Sequence, residues 1–374
     1  MHRAIFISSL SGGGAERVTV NNANAWVARG DKVTIITLAP ITEDFYTLDP
    51  QIRRIGLNLL STSNSSVSGV FANIRRVRSL RRILKKLRPD VLIGMETSAN
   101  IIAVLANWGM HCCVIAAEHI YPPMLPVSSI WERLRRWTYP HASVVLALTE
   151  ESCQWLIRNC PGSNVAVIPN AVQFPLPIGN SCIDPDQILP ENRRIILAVG
   201  RLAPQKGFDM LVKAFGQIVS SHSGWDLVIL GEGEERKNLL SEISNMGLSN
   251  RVFLPGAAGN ISQWYERADL FVMSSRFEGF PCTLIEAMAH RLAVVSFDCD
   301  TGPRDIIRHE IDGVLVTTGD VPALASILSQ LVNDEELLKR YAAKAVEVRD
   351  RFSMDRILNL WDEVIGDIRK RGIC

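Results

Sequence analysis

Short apolar runs rich in Val and Ile recur along the chain, each followed by a stretch whose apolar residues return at helical spacing. In the first half they predict strands near Ala4–Ser9, Val33–Leu38, Val91–Met95, Cys112–Ala117, Val144–Leu148 and Val165–Ile168. In the second half they predict strands near Ile195–Val199, Leu227–Leu230, Val252–Leu254, Leu270–Met273, Ala293–Phe297 and Val314–Val316. Continuous apolar strands alternating with helices indicate parallel sheets covered on both faces. Between the halves, Gln173 to Pro190 holds Pro175, Pro177, Pro185 and Pro190 among polar residues. Proline fixes its own φ and restricts the preceding residue, so this stretch predicts a linker over 176–190. The expected architecture is α/β, with two doubly wound, Rossmann-like domains (1–175 and 191–374) facing a central cleft. The last helix is expected to pack back on the first domain. Ligands of such sheets bind where strands end and loops enter helices.

Length agrees, because 374 residues exceed one ordinary compact core. The 47% apolar and 21% charged composition belongs to a globular chain. No run approaches the ~20 apolar residues of a membrane-spanning helix. The opening residues read as a first strand and lack the cleavage pattern of a signal peptide. Eight cysteines without a CxxC pair predict reduced, buried thiols in a cytoplasmic protein, with no zinc site. The polar stretch Ser61–Ser68 reads as a loop.

Three segments carry candidate chemistry. Gly12-Gly13-Gly14-Ala15-Glu16-Arg17 lies between the first strand and a helix, where bare backbone and a helix N-terminus suit an anion. It is neither the GxGxxG of a dinucleotide fold, which disfavours a dehydrogenase, nor a Walker loop. A plain tight turn would have the same sequence. Gly200-Arg201-Leu202-Ala203-Pro204-Gln205-Lys206-Gly207 brings two cations to a strand-to-helix turn. Preorganised there, they would stabilise the charge gained by a departing diphosphate. In Ser275 to Glu286, Pro281 suits the first turn of a helix, whose amides near Cys282 to Leu284 would form an anion site. Glu278 falls on the loop and Glu286 about one turn into the helix. An acid–base pair of a glycosidase would leave Arg201 and Lys206 without purpose.

Together Gly12–Arg17, Gly200–Gly207 and Phe277–Glu286, with its Glu-x7-Glu spacing, resemble glycosyltransferase family 4, of GT-B fold. The resemblance implies retaining transfer from a nucleoside diphosphate sugar. It places Arg201 and Lys206 on the diphosphate, Glu286 on the ribose and Glu278 on the donor sugar, with His119 a further sugar contact. The donor-binding set it implies also includes Gly13, Gly14, Gly200, Gly279, Phe280, Pro281, Cys282, Thr283 and Leu284. Ser296 to Ile307 is similar to bacterial enzymes that extend lipid-linked glycans with galactose, GalNAc or GlcNAc from UDP-sugars, building capsule, O-antigen or glycoprotein oligosaccharides. Asp298-Cys299-Asp300 spells a DxD metal motif, but it follows a second-half strand and is read as coincidental. No metal or other cofactor is expected. The resemblance leaves two rivals, a nucleotide-sugar epimerase of the same fold and a non-catalytic sugar-nucleotide-binding subunit.

Charge adds one feature. Residues 1–190 carry 18 Lys+Arg against 13 Asp+Glu, and much of the excess lies in 71–88, with eight cations and no acid. Phe71, Ile74, Val77, Leu80, Leu84 and Leu87 recur there at helical spacing. Such a helix suits an anionic membrane surface, seconded by Trp131, Arg133, Leu134, Arg135, Arg136 and Trp137, or else it packs its stripe on the sheet. The cations could also guide the diphosphate of a lipid-linked acceptor. A net charge of +1 without a recognised motif excludes nucleic acid as partner. The expected location is cytoplasmic, peripheral on the inner face of the membrane.

Overall fold

A computed structural model describes residues 1–60, 66–179 and 181–372, with backbone only at 66–68. The predicted Ser61–Ser68 loop lies outside the described residues over 61–65, and a helix begins at Ser66. The chain divides into two units, Met1–Ala171 with Met354–Cys374, and Val172–Ser353. Each is a fully parallel, Rossmann-like α/β layer structure.

In the first unit the strands are β1 (His2–Ile7), β2 (Lys32–Thr37), β3 (Arg53–Gly56), β4 (Val91–Met95), β5 (Cys113–Ala117), β6 (Val144–Ala147) and β7 (Val165–Val167). Their order is β3-β2-β1-β4-β5-β6-β7. In the second they are β8 (Arg194–Val199), β9 (Trp225–Leu230), β10 (Val252–Gly256), β11 (Leu270–Met273), β12 (Ala293–Asp298) and β13 (Val314–Thr317), ordered β10-β9-β8-β11-β12-β13. Central strands such as Val91–Met95 and Trp225–Leu230 are buried throughout, which is why they read as unbroken apolar runs. Both sheets reverse their winding at one place, between β1 and β4 and between β8 and β11. Loops leaving these strands are the expected ligand positions.

Every predicted strand is present, and β3 is additional. This edge strand has the sequence Arg-Arg-Ile-Gly, with no apolar run to reveal it. Arg54 ties it to Asp44 through two hydrogen bonds of 2.7 Å.

The predicted linker 176–190 belongs to the second unit instead. Ile183 N–H donates to Asn260 Oδ1 (2.8 Å), and its carbonyl accepts from Asn260 Nδ2 (3.0 Å) and Trp264 Nε1 (2.9 Å). Prolines set the path, but these bonds satisfy the backbone against a neighbouring helix, so the segment is docked. The final helix, Met354–Lys370, groups with the first unit and buries Ile357, Leu358, Trp361, Ile365 and Ile368 in its core. Trp361 meets Trp26 edge-on at 5.4 Å, and Asp362 accepts from Arg3 at 2.6 Å.

Among the described residues, the cysteines at 112, 153, 160, 182, 282 and 299 are free. Cys113 is disulfide-bonded, which corrects the expectation of thiols throughout. No helix among the described residues is long and apolar enough to cross a membrane.

The basic stretch lies on the helix Ser66–Leu87. Leu80 and Leu84 are fully buried, with Val77, Ile83 and Leu87 packed beside them, so the stripe serves the interior from Val77 onward. Phe71 (68% exposed) and Ile74 (40%) remain outside. Arg75, Arg78, Arg82, Lys85, Lys86 and Arg88 are exposed. Arg81 is used internally, donating to the carbonyls of Ala106 (2.9 Å) and Trp108 (2.6 Å). Arg135, expected among the surface cations, is buried, where its guanidinium stacks over Trp155 at 4.7 Å and pairs with Glu132.

Candidate active site

In the second unit, β8 runs into Gly200 and a short 3-10 turn, Pro204–Lys206. Gly207 then takes φ +61, and a Cβ there would sit 2.1 Å from the Ser274 carbonyl oxygen. Only glycine lets this loop lie so close to the end of β11. Ser274 Oγ donates to the Lys206 carbonyl (3.0 Å), Arg276 N–H to the Gln205 carbonyl (2.7 Å) and Gln205 Nε2 to the Phe277 carbonyl (2.9 Å). The loops after the two switch-point strands are therefore bonded into one body.

At its centre, Lys206 Nζ lies 2.6 Å from Glu278 Oε1, and Ser275 Oγ donates to the same oxygen at 2.6 Å. The stem of Lys206 crosses Gly200, where a Cβ would stand 3.2 Å from Cε. Glu278 is 6% exposed, and its carbonyl accepts from Thr301 Oγ1. The ordered ammonium can receive an anionic ligand, and the carboxylate has further lone pairs for hydroxyl donors. Arg201 is exposed and makes no side-chain hydrogen bond among the described residues, so it does not join this pair.

Pro281 is the N-cap of the helix Cys282–Ala289 rather than its first residue. The Leu284 amide donates to the Pro281 carbonyl at 3.2 Å, so it is not one of the amides offered to an anion. Glu286 lies in the helix, 2% exposed, with Tyr265 Oη donating to it at 3.4 Å. Gly279, Phe280, Cys282 and Thr283 lie on this same loop and first turn. Asp298 pairs with Arg304 at 2.9 Å.

Gly231 and Gly233, which follow β9, were not singled out in the sequence. Gly231 has φ +146, and a Cβ there would come within 1.9 Å of the Gly200 carbonyl oxygen. The Leu202 amide donates to Glu232 O at 2.8 Å, which joins this loop to the cationic one. The signal was present as Gly-Glu-Gly at a strand end.

The first unit has its own strand-end cluster. In the glycine loop, the amides of Gly12 (2.8 Å) and Gly13 donate to the Glu16 carboxylate, as does Ser9 Oγ. An internal carboxylate thus occupies the place read as an anion site, and a Cβ on Gly13 would stand 2.9 Å from it. Gly14 is open, with nothing near its missing side chain. His119 follows β5; burial pushes its pKa down to about 4, and its Nε2 has no hydrogen-bond partner among the described residues. Glu118 is buried, accepting from Thr97 Oγ1 (2.9 and 3.0 Å) and Tyr139 Oη, with Arg135 3.8 Å away. Burial raises its pKa against the pull of Arg135.

The family model described as glycosyltransferase family 4 matches residues 12–174, and that for glycosyl transferases group 1 matches 183–348. The chain belongs to glycosyltransferase family 4. It is 27% identical to a Campylobacter jejuni enzyme over 99% of both chains. That enzyme is an α-1,4-N-acetyl-D-galactosaminyltransferase named for a PP-undecaprenol-linked GalNAc glycan. An exopolysaccharide phosphotransferase of Streptomyces coelicolor is 32% identical over 78% of this chain, which spans only 30% of that protein. Among solved structures, Anabaena HepE in complex with UDP superimposes with a TM-score of 0.79 at 20% identity, covering 98% of this chain and all of that one. The likeness shows the shared GT-B fold.

Proposed function

We propose that this chain is a retaining glycosyltransferase that moves galactose or an N-acetylhexosamine from a UDP-sugar to a lipid-linked glycan acceptor during bacterial surface polysaccharide or glycan assembly. The observation that carries the reading is the Lys206–Glu278–Ser275 cluster at the β8/β11 switch point, with Arg201 exposed on the loop that carries Lys206. Arg201 and Lys206 receive the diphosphate, whose charge rises as the glycosidic bond breaks, so their stabilisation is greatest in the transition state. Glu278 holds donor-sugar hydroxyls, and Glu286 the ribose. Acceptor deprotonation falls to the leaving diphosphate oxygen, and no divalent metal takes part; the engagement of Asp298 by Arg304 supports this. The Campylobacter jejuni relative, with its PP-undecaprenol-linked acceptor, supports the acceptor class.

The reading includes peripheral attachment to the anionic inner face of the cytoplasmic membrane. Exposed Phe71 and Ile74 beside six exposed cations of residues 75–88 support it, each cation contributing ~1 kcal/mol near such a surface. The test is a panel of UDP-sugars with membrane-extracted lipid-linked acceptor, scored by product mass and by the anomeric coupling of the new linkage. A mass gain of one hexose or N-acetylhexosamine with an α-anomeric signal supports the reading. Isomerised sugar nucleotide without transfer would mark an epimerase, and bound UDP without turnover a binding subunit.

A further inference from the structure

Glu96 has no part in the scheme above, yet it occupies the first unit's switch point. It is the residue immediately after β4, which pairs with β1 on one side and β5 on the other. Loops at this place hold ligands in doubly wound sheets, and the loop after β11 in the second unit delivers Glu278 from the corresponding position. Met95 pairs with Ala117, so Glu96 and Glu118 leave the sheet side by side, with His119 following.

The backbone at Glu96 has φ +77, a left-handed conformation that a glutamate rarely adopts. It is fixed by two bonds, Glu96 N–H to the Ala117 carbonyl (3.0 Å) and Asn100 N–H to the Glu96 carbonyl (2.9 Å). Held there, the side chain is partly buried, and its carboxylate has no hydrogen bond to any described residue. Neighbouring acids are otherwise satisfied. Glu16 takes the glycine-loop amides, and Glu118 takes Thr97 and Tyr139. Among the described residues, two buried polar atoms beside these strand ends also have no hydrogen-bond partner, His119 Nε2 and Asn100 Oδ1. A carboxylate that no protein donor engages, in an acid-lined setting at a strand end, is available to a donor from a ligand. A polyhydroxylated ring, the kind of group a transferase accepts, supplies such donors without adding negative charge.

We propose that Glu96 binds a hydroxyl of the incoming acceptor sugar, accepting a hydrogen bond that orients this sugar on the first unit. The inference rests on the transferase reading above. Burial, with the charges of Glu16 on the helix Gly14–Ala28 and Glu118 just after β5, raises the pKa of Glu96 to about 7. Its acceptor strength therefore rises as the pH passes neutrality.

The test uses the full chain with the UDP-sugar that serves best and membrane-extracted lipid-linked glycan as acceptor, comparing wild type with Glu96→Gln, Glu96→Ala and Glu96→Asp. Expected is a fall of at least ~30-fold in kcat/KM for the acceptor in the Gln and Ala variants, with partial rescue by Asp. UDP affinity should stay within about twofold of wild type, since the second unit is untouched. The rise of acceptor kcat/KM near pH 7 should disappear in Glu96→Gln. Acceptor kinetics unchanged in Glu96→Ala, or a loss shared equally by UDP binding, overturns the inference while the transferase reading stands. A wild-type chain that transfers to no acceptor overturns both.

Discussion

Removing the charge of Glu96 should stabilise the protein, and by an amount that depends on pH. Its pKa is raised from an ordinary 4.5 to about 7, chiefly by burial and then by Glu16 and Glu118. The folded state therefore holds the protonated form more tightly than the unfolded chain does. This contribution is fully present below the unfolded value and is lost as pH rises through the folded one. At ~1.4 kcal/mol per pH unit, ionised Glu96 costs the fold about 3 kcal/mol at pH 8 and under about 1 kcal/mol at pH 5. Glu96→Gln keeps the shape without the charge, so it should recover that cost at pH 8 and little of it at pH 5. For a unit of this size, about 3 kcal/mol corresponds to roughly 6–12 °C in Tm. Calorimetry of the full chain at pH 5, 6, 7 and 8 would follow the transition that the substitution moves. A Tm difference that does not change between pH 5 and pH 8 would refute the reasoning.

Other outcomes follow from the same geometry. His119 behaves oppositely: burial lowers its pKa to about 4, so stability is present above its unfolded value near 6.5 and lost as pH falls through 4. His119→Gln should spare the protein about 2 kcal/mol of destabilisation at pH 5 relative to pH 8, read by denaturant midpoints. Arg201→Ala should lower turnover ~10²–10³-fold while leaving stability within ~0.5 kcal/mol, because the exposed Arg201 side chain bonds to none of the described residues. Lys206→Ala should lower turnover similarly but also cost ~3 kcal/mol, because Glu278 loses its buried cation. Gly231→Ala should lower the Tm and abolish UDP binding together, since a Cβ 1.9 Å from the Gly200 oxygen forces the cationic loop aside; UDP binding equal to wild type would count against this.

The parallel strands were legible because burial on both faces writes itself as an apolar run, and only the arginine-led edge strand β3 escaped that signal. The second-unit loops were legible because their residue types are unusual at strand ends. The pairing of Lys206 with Glu278 was not, since it arises from β8 and β11 lying adjacent at the switch point, 72 residues apart in the chain. The docking of 176–190 was hidden for a related reason: its partners, Asn260 and Trp264, are distant in sequence. In the first unit, the glycines suggested an open anion site, and Glu16 turns back to fill it. Glu96 carries no local pattern at all, and its interest comes from a left-handed backbone and a carboxylate that no described residue engages.

The most direct measurement of the central assignment is a calorimetric titration of UDP into the full chain and its variants. The account expects wild type to bind UDP, Lys206→Ala and Glu286→Ala to weaken binding at least ~10-fold, and Glu96→Gln to leave it unchanged. UDP affinity that is equal in wild type, Lys206→Ala and Glu286→Ala would contradict the placement of the sugar nucleotide at the β8/β11 switch point.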